Sequence, residues 1–445
     1  MTNKSSTIFV CSRCDSQYSK WQGRCPECGA WGTLAEQENF VTVKTKEKDK
    51  IILGSAKKVV TLNSSEKTVT RLPIKIKSIA KVFGGGLPVG SVTLLAGDPG
   101  VGKSTLAMQL ATDWGRDCLY VSAEESESQL AGRLKRISPK AKLGFIQSDN
   151  LEEILATVVS SQAKIVVVDS IQTISSDQIN GAVGSVSQVK ACASQLQTFS
   201  KDQQVAVIII GHINKSGEAA GPKTLEHLVD IVLQFSGEHY RQARLLRASK
   251  NRYGSTGETA FLEMTPTGLK EVADPSKLLL FGWKNRSGSV ICPIVEGSKI
   301  LLVEIQALLS KSVGKYPRRV ANGIDQKRLE MLTTVLNRHA DIPLNYLDVF
   351  VNVVGGIAVS EPAVDAAICA AIVSAYKRQV FSDNSVVFGE VGLAGEIRSV
   401  SKTKERLQEA VRLKLKNIIA PALEKTPTGV NWLAIDQVSK ISDYL

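Results

Sequence analysis

The sequence predicts an α/β protein that carries a small metal-bound module at its N-terminus. Apolar strands alternate with amphipathic helices over residues 71–272, and a second set of strands and helices occupies residues 276–445. Within residues 1–35, four cysteines form two C-x-x-C pairs, a spacing typical of a metal site. These three observations predict the fold class.

Composition divides the chain into four segments. Residues 1–35 hold the four cysteines, and residues 36–70 are charged and rich in Thr and Ser, as expected of a linker. The first α/β domain is predicted at residues 71–272, Pro275 marks the next junction, and the second domain is predicted at residues 276–445. The length of 445 residues accommodates these domains.

The net charge of +12 is unevenly distributed. Residues 1–80 contain 14 Lys and Arg against 7 Asp and Glu, and residues 241–254 contain five cations and no acid. An excess of this kind suits a polyanion such as nucleic acid, because bound phosphates release counterions. A solvated basic surface is the alternative that charge alone leaves open.

The chain shows no signal for a membrane or for secretion. It contains no apolar run of 18 or more residues, and its first residues lack the apolar region of a signal peptide. We therefore expect a cytoplasmic protein without a membrane partner. Four scattered cysteines are expected to be buried apolar side chains: Cys118, Cys192, Cys292 and Cys369.

The clustered cysteines predict a structural zinc site. Cys11 and Cys14 form one pair, and Cys25 and Cys28 form the second pair ten residues later. Two such knuckles supply four thiolates to a tetrahedral Zn²⁺, and the glycine after the second pair lets backbone amides approach the sulfur atoms. With four protein ligands the site is closed, and the metal provides folding energy. A redox-active dithiol is the alternative.

The segment GDPGVGKST matches the phosphate-binding loop G-x-x-x-x-G-K-[ST]. It follows the apolar strand SVTLLAG and opens a helix, which is the context that this motif requires. Lys103 is expected to contact the β- and γ-phosphates of ATP, and Ser104 to bind Mg²⁺. The predicted ATP-binding residues are Gly97, Asp98, Pro99, Gly100, Val101, Gly102, Lys103, Ser104 and Thr105.

Polar residues at the ends of three other strands complete the predicted site. Asp169 ends the strand KIVVVD and is suited to hold Mg²⁺. Glu124 is the first candidate for the general base and Glu125 the second, although either carboxylate could be a surface acid. His212 ends the strand VAVIIIGH and could sense the γ-phosphate, or it could be a structural histidine.

Two basic segments provide candidate DNA contacts. The long polar loop of residues 214–227 is expected to be mobile and contains Lys215 and Lys223. Residues 311–328 are strongly cationic, with Lys315, Arg318 and Arg319 as candidates. A solvated basic loop is the alternative for the second segment.

Taken in order, these motifs resemble one family across essentially the whole chain. The cysteine knuckle, GDPGVGKST, YVSAEES, VVVDS, GHINK and KNRYG are similar in order and spacing to the RadA (Sms) family of bacterial DNA repair proteins. KNRYG corresponds to the family's KNRFG motif, with Tyr253 in place of Phe, and its residues are Lys250, Asn251, Arg252, Tyr253 and Gly254. The resemblance implies an ATPase core similar to RecA and to hexameric DnaB-type helicases.

In such rings ATP lies between subunits, which suggests a role for KNRYG. The resemblance implies that Lys250 and Arg252 reach the γ-phosphate of the neighbouring subunit, and that Gly254 permits the turn after them. Direct contact of the same cations with DNA phosphates is the alternative.

The second domain resembles the proteolytic domain of Lon, which uses a Ser–Lys dyad. Ala363 occupies the position of the nucleophile, while Lys404 falls near the dyad lysine and Ser360 lies three residues early. A lysine without an adjacent nucleophile cannot carry out this acyl transfer. We therefore expect a non-proteolytic scaffold.

The resemblance implies a DNA-stimulated ATPase in a hexameric ring, with Mg²⁺ bound alongside ATP and one structural Zn²⁺ per chain. Its partners would be single-stranded and branched DNA and RecA, and its task would be branch migration of recombination intermediates. The alternatives are an ATP-dependent protease, against which Ala363 argues, and a nucleotide-switched adaptor, against which Glu124 and Asp169 argue. A RecA-like strand-exchange protein is less consistent with the additional domains.

Overall fold

The computed structural model divides the chain into two compact units, residues 1–68 and 69–445. The residues that the structure describes are 6–11, 17–18, 20–27, 29–39, 69–212, 225–237, 243–314, 316–423, 425 and 428–445.

The first unit contains a small antiparallel sheet. Among its described residues, three strands pair in the order β2-β1-β3: β1 (Ser6–Cys11), β2 (Gln17–Tyr18) and β3 (Leu34–Asn39). Residues 36–39 thus belong to a strand, although composition assigns them to the linker. The buried apolar cluster consists of Cys11, Cys25 and Leu34, with Phe9 and Tyr18 packed against it. A core this small contributes little folding energy by itself.

The first half of the second unit is built around a large sheet. Within the described residues, nine strands follow the order β14-β13-β12-β11-β6-β10-β9-β7-β8. Two short strands and a helix come before the sheet: β4 (Arg71–Leu72), α1 (Lys77–Val82) and β5 (Leu87–Pro88). The parallel part of the sheet and its helices are β6 (Val92–Gly97), α2 (Lys103–Trp114), β7 (Cys118–Ser122), α3 (Glu127–Ile137), β8 (Gly144–Gln147), α4 (Leu151–Ser161), β9 (Ile165–Asp169), α5 (Val186–Gln203), β10 (Ala206–His212) and β11 (Ile231–Ser236). The antiparallel extension is β12 (Ala243–Asn251), β13 (Thr259–Thr265) and β14 (Gly268–Glu271).

Helices cover both faces of this sheet because its central strands are apolar on both sides. In β6, Leu95 belongs to the core that includes α2, whereas Leu94 belongs to the core that includes α5. Strands buried on both faces read as continuous apolar runs, as LLAG and IVVV do. The carboxyl ends of the parallel strands therefore meet at one edge, where ligands bind in this architecture.

The second half of the unit has its own mixed sheet. Within the described residues, seven strands follow the order β17-β18-β16-β15-β19-β22-β23. Its elements are α6 (Pro275–Leu279), β15 (Ser289–Glu296), β16 (Lys299–Lys311), β17 (Arg319–Asn322), α7 (Gln326–His339), β18 (Leu347–Val353), α8 (Asp365–Lys377), β19 (Ser385–Val387), the small hairpin β20 (Glu390–Val391) and β21 (Ile397–Arg398), α9 (Thr403–Arg412), β22 (Asn417–Ala420) and β23 (Asn431–Ala434). The alanine-rich helix α8 is almost fully buried, since small side chains allow close packing on the sheet. These two sheets confirm the predicted α/β class.

The two halves touch through the hairpin turn between β15 and β16. A Cβ added to Gly297 would lie 2.1 Å from the carbonyl oxygen of Gly257, so the two backbones are in direct contact. Thr259 Oγ1 donates to the Glu296 carbonyl over 3.2 Å, and an Arg247 nitrogen lies 3.9 Å from a Glu296 carboxylate oxygen. No helix among the described residues combines the length and the apolar character that a membrane crossing requires.

Candidate functional site

The phosphate-binding loop lies between the end of β6 and the start of α2. Gly100 and Gly102 have φ angles of +76° and +107°, which favour glycine. A Cβ on Gly97 would lie 2.2 Å from the Phe235 carbonyl oxygen, and one on Gly102 would lie 2.5 Å from Cε of Met264. The glycines therefore serve both the turn and the close approach of β11 and β13.

Lys103 is buried at the start of α2, with 4% of its surface exposed. Its amine donates to the carbonyl oxygens of Gly97 (2.8 Å) and Asp98 (3.0 Å). Burial lowers the pKa of Lys103, and the charges of Asp169 and then Asp98 oppose that shift. A buried cation whose hydrogen bonds to described residues are all to loop carbonyls is suited to a phosphate ligand.

Asp169 lies at the same edge of the sheet. Its carboxylate oxygen Oδ2 accepts a hydrogen bond of 2.7 Å from the Tyr120 hydroxyl, which leaves the second oxygen for another ligand. Burial raises the pKa of Tyr120, so the hydroxyl stays a donor. Ser170 Oγ and Gln172 Oε1 are buried here without a hydrogen-bond partner among the described residues. The acceptor oxygens of Gln172 and Asp169 fit the waters of a hydrated Mg²⁺, and the Ser170 hydroxyl can also donate to a phosphate.

The backbone of His212 reaches the same edge, because His212 pairs with Gly97 in the parallel register of β10 and β6. The His212 side chain lies outside the described residues.

The two glutamates after β7 have different surroundings. Glu125 is half-buried, its Oε1 accepts a short hydrogen bond from Arg133 Nη2, and its backbone N–H donates to Ser122 Oγ over 3.2 Å. Glu124 is exposed, and its carboxylate forms no hydrogen bond or ion pair with any described residue. Arg133 occupies the Glu125 carboxylate, whereas the Glu124 carboxylate is accessible to a water molecule, so the geometry favours Glu124 for the role of base.

Arg244 is a site residue that the sequence reasoning missed. Only 7% of its surface is exposed, and its Nε donates to the Val101 carbonyl oxygen of the phosphate loop over 2.9 Å. Burial lowers the pKa of Arg244. The alternation of buried and exposed residues along β12 could have identified Arg244, since it shares the inward face of the strand with Leu246 and Ala248. A charged residue on an apolar strand face points to a specific partner.

KNRYG lies at the opposite edge of the sheet from the phosphate loop. Asn251 pairs with Ile231, and Ile231 pairs with Thr93 near the start of β6. Gly97 lies four positions after Thr93, which corresponds to about 13 Å along the strand. Within one chain the motif is therefore remote from its own phosphate loop.

The two cations of the motif are held differently. Lys250 Nζ donates to the carbonyl oxygens of Glu226 (2.6 Å) and Val229 (2.9 Å), and burial lowers its pKa. Arg252 is half exposed, and its nearest acid is Asp230, with 3.6 Å between Nη1 and Oδ1. Arg252 is thus the more available of the two for an external phosphate, while Lys250 stabilises a turn.

The other three residues attach the motif to the protein. Asn251 Nδ2 donates to the Val82 carbonyl oxygen over 3.2 Å, and the Tyr253 carbonyl oxygen accepts a hydrogen bond of 2.6 Å from Arg71 Nη2. A Cβ on Gly254 would lie 3.0 Å from Cα of Gly84. Gly254 therefore allows close backbone contact with Gly84, and its backbone does not adopt the positive φ that would require glycine in a turn.

In the second half, Ala363, which aligns with the Lon nucleophile, is buried, and a buried ion pair involves Glu361, two residues before it. Ala363 is 1% exposed and Arg406 is fully buried. The Arg406 guanidinium forms two bonds to Glu361, of 2.5 and 3.2 Å, and further bonds to the carbonyl oxygens of Ser401 and Pro293. All three of its nitrogens therefore have acceptors.

Candidate hydrolytic groups in this half are not assembled. Ser360 and Lys404 are exposed, and neither side chain forms a hydrogen bond with a described residue. The Cys292 thiol lies near Ala363, but burial raises its pKa far above the ordinary value, so the reactive thiolate is disfavoured.

The candidate DNA contacts are only partly described. Arg318 forms an ion pair with Asp348, with 3.0 Å between Nη2 and Oδ2, yet its side chain is 70% exposed. Arg319 donates to the carbonyl oxygens of Leu347 (2.6 Å) and Leu344 (2.8 Å). The Arg319 guanidinium thus stabilises the backbone of its own domain. Lys215, Lys223 and Lys315 lie outside the described residues, as does most of the loop 214–227.

The zinc knuckles are described for one cysteine of each pair. Cys11 and Cys25 are buried, and Gly29 has a φ of +70° with its N–H bonded to the Cys25 carbonyl over 2.8 Å. This tight turn is the form expected of a metal knuckle. Cys14 and Cys28 lie outside the described residues.

Three family models match the chain. Residues 9–36 match a rubredoxin metal binding domain, residues 66–218 an AAA domain, and residues 326–442 the Lon protease (S16) C-terminal proteolytic domain. The predicted combination of a zinc ribbon, a P-loop ATPase domain and a Lon-like domain is therefore confirmed.

Whole-chain relatives share one description. The chain is 40% identical to the DNA repair protein RadA of Pseudomonas aeruginosa over 99% of both chains. It is 39% identical to that of Campylobacter jejuni, over 99% of this chain and 100% of the relative, and 40% identical to that of Aquifex aeolicus over 99% of both. A solved KaiC-like protein from Pyrococcus horikoshii is 20% identical, with a TM-score of 0.37, over 46% of this chain and 100% of its own.

Proposed function

The chain belongs to the RadA family of DNA repair proteins, and from that premise we propose that it is a DNA-stimulated ATP hydrolase that acts as a motor on recombination intermediates. The observation that carries the ATPase proposal is the buried Lys103 amine within a glycine turn, near Asp169 and two buried oxygens without a hydrogen-bond partner among the described residues. Such a site favours phosphate over an uncharged ligand, because the buried cation and the helix N-terminus are both electropositive.

Each residue of the site then has a distinct task. Backbone N–H groups of the phosphate loop hold the β-phosphate, and Lys103 leaves its carbonyl acceptors to neutralise the γ-phosphate. Ser104 and Asp169 would hold Mg²⁺, which supplies charge neutralisation when bound. The Tyr120 hydroxyl orients the Asp169 carboxylate.

The exposed Glu124 carboxylate orients and deprotonates the attacking water, since it has no competing partner among the described residues. Glu125 positions the segment through Arg133. His212, whose backbone adjoins Gly97, is proposed to sense the γ-phosphate.

KNRYG is proposed to act on the neighbouring subunit in a hexameric ring. Its separation from the phosphate loop of its own chain supports action between subunits. The half exposure of Arg252 supports its role as the finger residue, the cation that reaches the γ-phosphate of the neighbouring subunit. An arginine placed at the γ-phosphate stabilises the charge that develops in the transition state. Hydrolysis in one subunit would then be coupled to movement of the next.

The proposed biological task is branch migration on single-stranded and branched DNA together with RecA. The Lon-like half is proposed to be a non-proteolytic scaffold, supported by buried Ala363 and the fully bonded Arg406. The N-terminal ribbon is proposed to bind one structural Zn²⁺ through Cys11, Cys14, Cys25 and Cys28. Metal analysis of purified, reduced protein should give one zinc per chain, and none in Cys25→Ala.

The central test measures ATP hydrolysis with and without single-stranded DNA, alongside electron microscopy for rings. We expect turnover that rises with DNA in ring-forming protein. Complete absence of hydrolysis in both conditions would refute the proposal.

Mixing two inactive variants tests action between subunits. Lys103→Ala disables the phosphate loop and retains its finger, whereas Arg252→Ala retains its phosphate loop. Mixed rings should recover part of the activity. If mixed rings form and stay inactive at every ratio, the finger does not act between subunits. If Arg252→Ala hydrolyses ATP normally but binds DNA with a smaller salt slope, the motif contacts DNA phosphates instead.

A further inference from the structure

One face of the Lon-like sheet carries an ordered array of side chains that the ATPase proposal does not use. Strand pairing aligns Val320, Phe350 and Leu308 in one row across β17, β18 and β16. The next row aligns Asn322, Asn352, Gln306 and Ser289. Residues paired across strands share a face, so an apolar row lies beside a row of amides and a hydroxyl. Both rows line a cavity of about 490 Å³.

The loop of residues 282–288 closes one side of this cavity and is held in place. Asn285 Nδ2 donates to the Phe381 carbonyl oxygen over 2.7 Å, and Ser287 Oγ donates to the Ser374 carbonyl oxygen over 2.9 Å. A Cβ on Gly288 would lie 2.4 Å from the Ala307 carbonyl oxygen, so this glycine brings the loop against β16. The loop thereby positions three cavity residues, Trp283, Lys284 and Arg286.

A buried carboxylate lies among these groups. Glu304 is 8% exposed and lines the cavity, and its Oε1 accepts hydrogen bonds from Ser289 Oγ (2.6 Å) and Gln306 Nε2 (2.8 Å). Its Oε2 accepts none from the residues that the structure describes. Ser289 Oγ also accepts a hydrogen bond of 3.0 Å from the Trp283 indole N–H, which fixes the ring beside the carboxylate. Because Glu304 lines the cavity, this second oxygen can accept a hydrogen bond from a bound ligand with an N–H donor.

The rim of the cavity is cationic and apolar. Lys284 and Arg286 are exposed, and the Arg318 guanidinium lies 5.8 Å from the centre of the Phe350 ring. Leu308 is 64% exposed at the end of the apolar row. Rim cations complement phosphates, flat apolar surfaces stack on bases, and amides with a carboxylate contact base edges. An acidic peptide would satisfy the cations but would leave the Glu304 oxygen facing like charge.

We propose that this surface, formed by the two side-chain rows, Glu304 and the loop 282–288, binds a segment of single-stranded nucleic acid and receives one base in the cavity. The base stacks beside Trp283, an exocyclic amino group donates to Glu304, and Lys284 and Arg286 contact the adjoining phosphates. Carboxylates accept from the amino group of cytosine in known base contacts, whereas thymine has no amino group. The inference rests on the proposed action on DNA and adds a base preference to it.

The test measures binding of labelled oligo(dC) and oligo(dT) to full-length protein by fluorescence anisotropy over a range of salt concentrations. Wild type should bind oligo(dC) about tenfold more tightly, as expected for one hydrogen bond to a charged group. Glu304→Gln should bring the ratio near one. The double variant Lys284→Ala/Arg286→Ala should reduce the salt slope by about 0.7 for each lost phosphate contact. Lys135→Ala, on the exposed side of α3, is the matched control and should change neither quantity.

The outcomes separate this inference from the proposed function. ATP hydrolysis without DNA should be unchanged in all these variants, which also verifies their folding. If wild type binds no single-stranded DNA, the proposed DNA-directed function fails. If wild type binds but the Glu304 and Lys284/Arg286 variants match it in ratio and salt slope, only the present inference fails. Competition by free deoxycytidine monophosphate at micromolar concentration would instead identify a mononucleotide site and overturn the strand proposal.

Discussion

Two places in the second unit, the phosphate-loop edge and the surroundings of Ala363, differ in how their buried polar groups are bonded. At the phosphate-loop edge, the buried Lys103 amine bonds to loop carbonyls, and Ser170 Oγ and Gln172 Oε1 have no hydrogen-bond partner among the described residues. Around Ala363, every nitrogen of the buried Arg406 guanidinium has an acceptor. Groups kept unpaired in a protein interior cost stability and persist where a ligand uses them.

The comparison shows that the bonding of buried polar groups can differ between two similar scaffolds. Both halves combine parallel strands with packed helices, so fold alone does not separate them. At the phosphate-loop edge, two buried side-chain oxygens lack a hydrogen-bond partner among the described residues, whereas the buried Arg406 guanidinium is fully bonded. Four changes would break or sharpen this contrast, given in order of decreasing effect.

Lys103→Ala should lower ATP hydrolysis by about 10³-fold, since the loop loses the cation that neutralises the γ-phosphate. Steady-state ATPase assays measure this loss, and circular dichroism verifies the fold. Lys135→Ala is the matched control and should hydrolyse at the wild-type rate. Wild-type turnover in Lys103→Ala would refute the assignment of the ATP site to this loop.

Glu361→Ala should destabilise the protein by about 3 kcal/mol, because it leaves the buried Arg406 charge without its partner. Urea unfolding followed by fluorescence measures the change. The double variant Glu361→Leu/Arg406→Met should recover most of the loss, since apolar side chains of similar volume can replace a buried ion pair. Equal stability of Glu361→Ala and wild type would contradict a structural role for the pair.

Arg244→Ala should lower kcat/KM for ATP by about tenfold, the range expected for one charge-assisted hydrogen bond at a catalytic loop. Arg244→Lys should recover part of the loss. Arg247→Ala on the same strand is the control, because its side chain is half exposed and donates to Gln234 and not to the phosphate loop. Equal losses in the Arg244 and Arg247 variants would indicate a general effect on β12 and not a hold on the phosphate loop.

Ala363→Ser should produce no measurable peptidase activity. The restored hydroxyl would lie in a buried position, while Lys404 is exposed and bonded to no described residue. A fluorogenic peptide assay measures the outcome, with an active Lon-type protease as the positive control. Cleavage by this variant would show that the dyad is still poised.

The sequence alone determined the parts whose chemistry is local. The glycine turn with Lys103 is encoded in nine consecutive residues. The succession of buried strands predicts the sheet edge at which β9 ends with Asp169. Cysteine spacing likewise predicted the ribbon, and the family model of a metal binding domain matches it. In each case the backbone conformation follows from neighbouring residues, so a short pattern is sufficient.

Only the tertiary structure decided which distant groups meet. Strand order places KNRYG at the edge opposite the phosphate loop, brings Arg244 to Val101 across 143 residues, and pairs Arg406 with Glu361. The choice between Glu124 and Glu125 likewise depends on where α3 sets Arg133. Periodicity shows which side of a strand faces inward, but neighbours across a sheet are selected by non-local pairing and by packing. For that reason the cavity beside Glu304 becomes visible only when β15 to β18 are aligned.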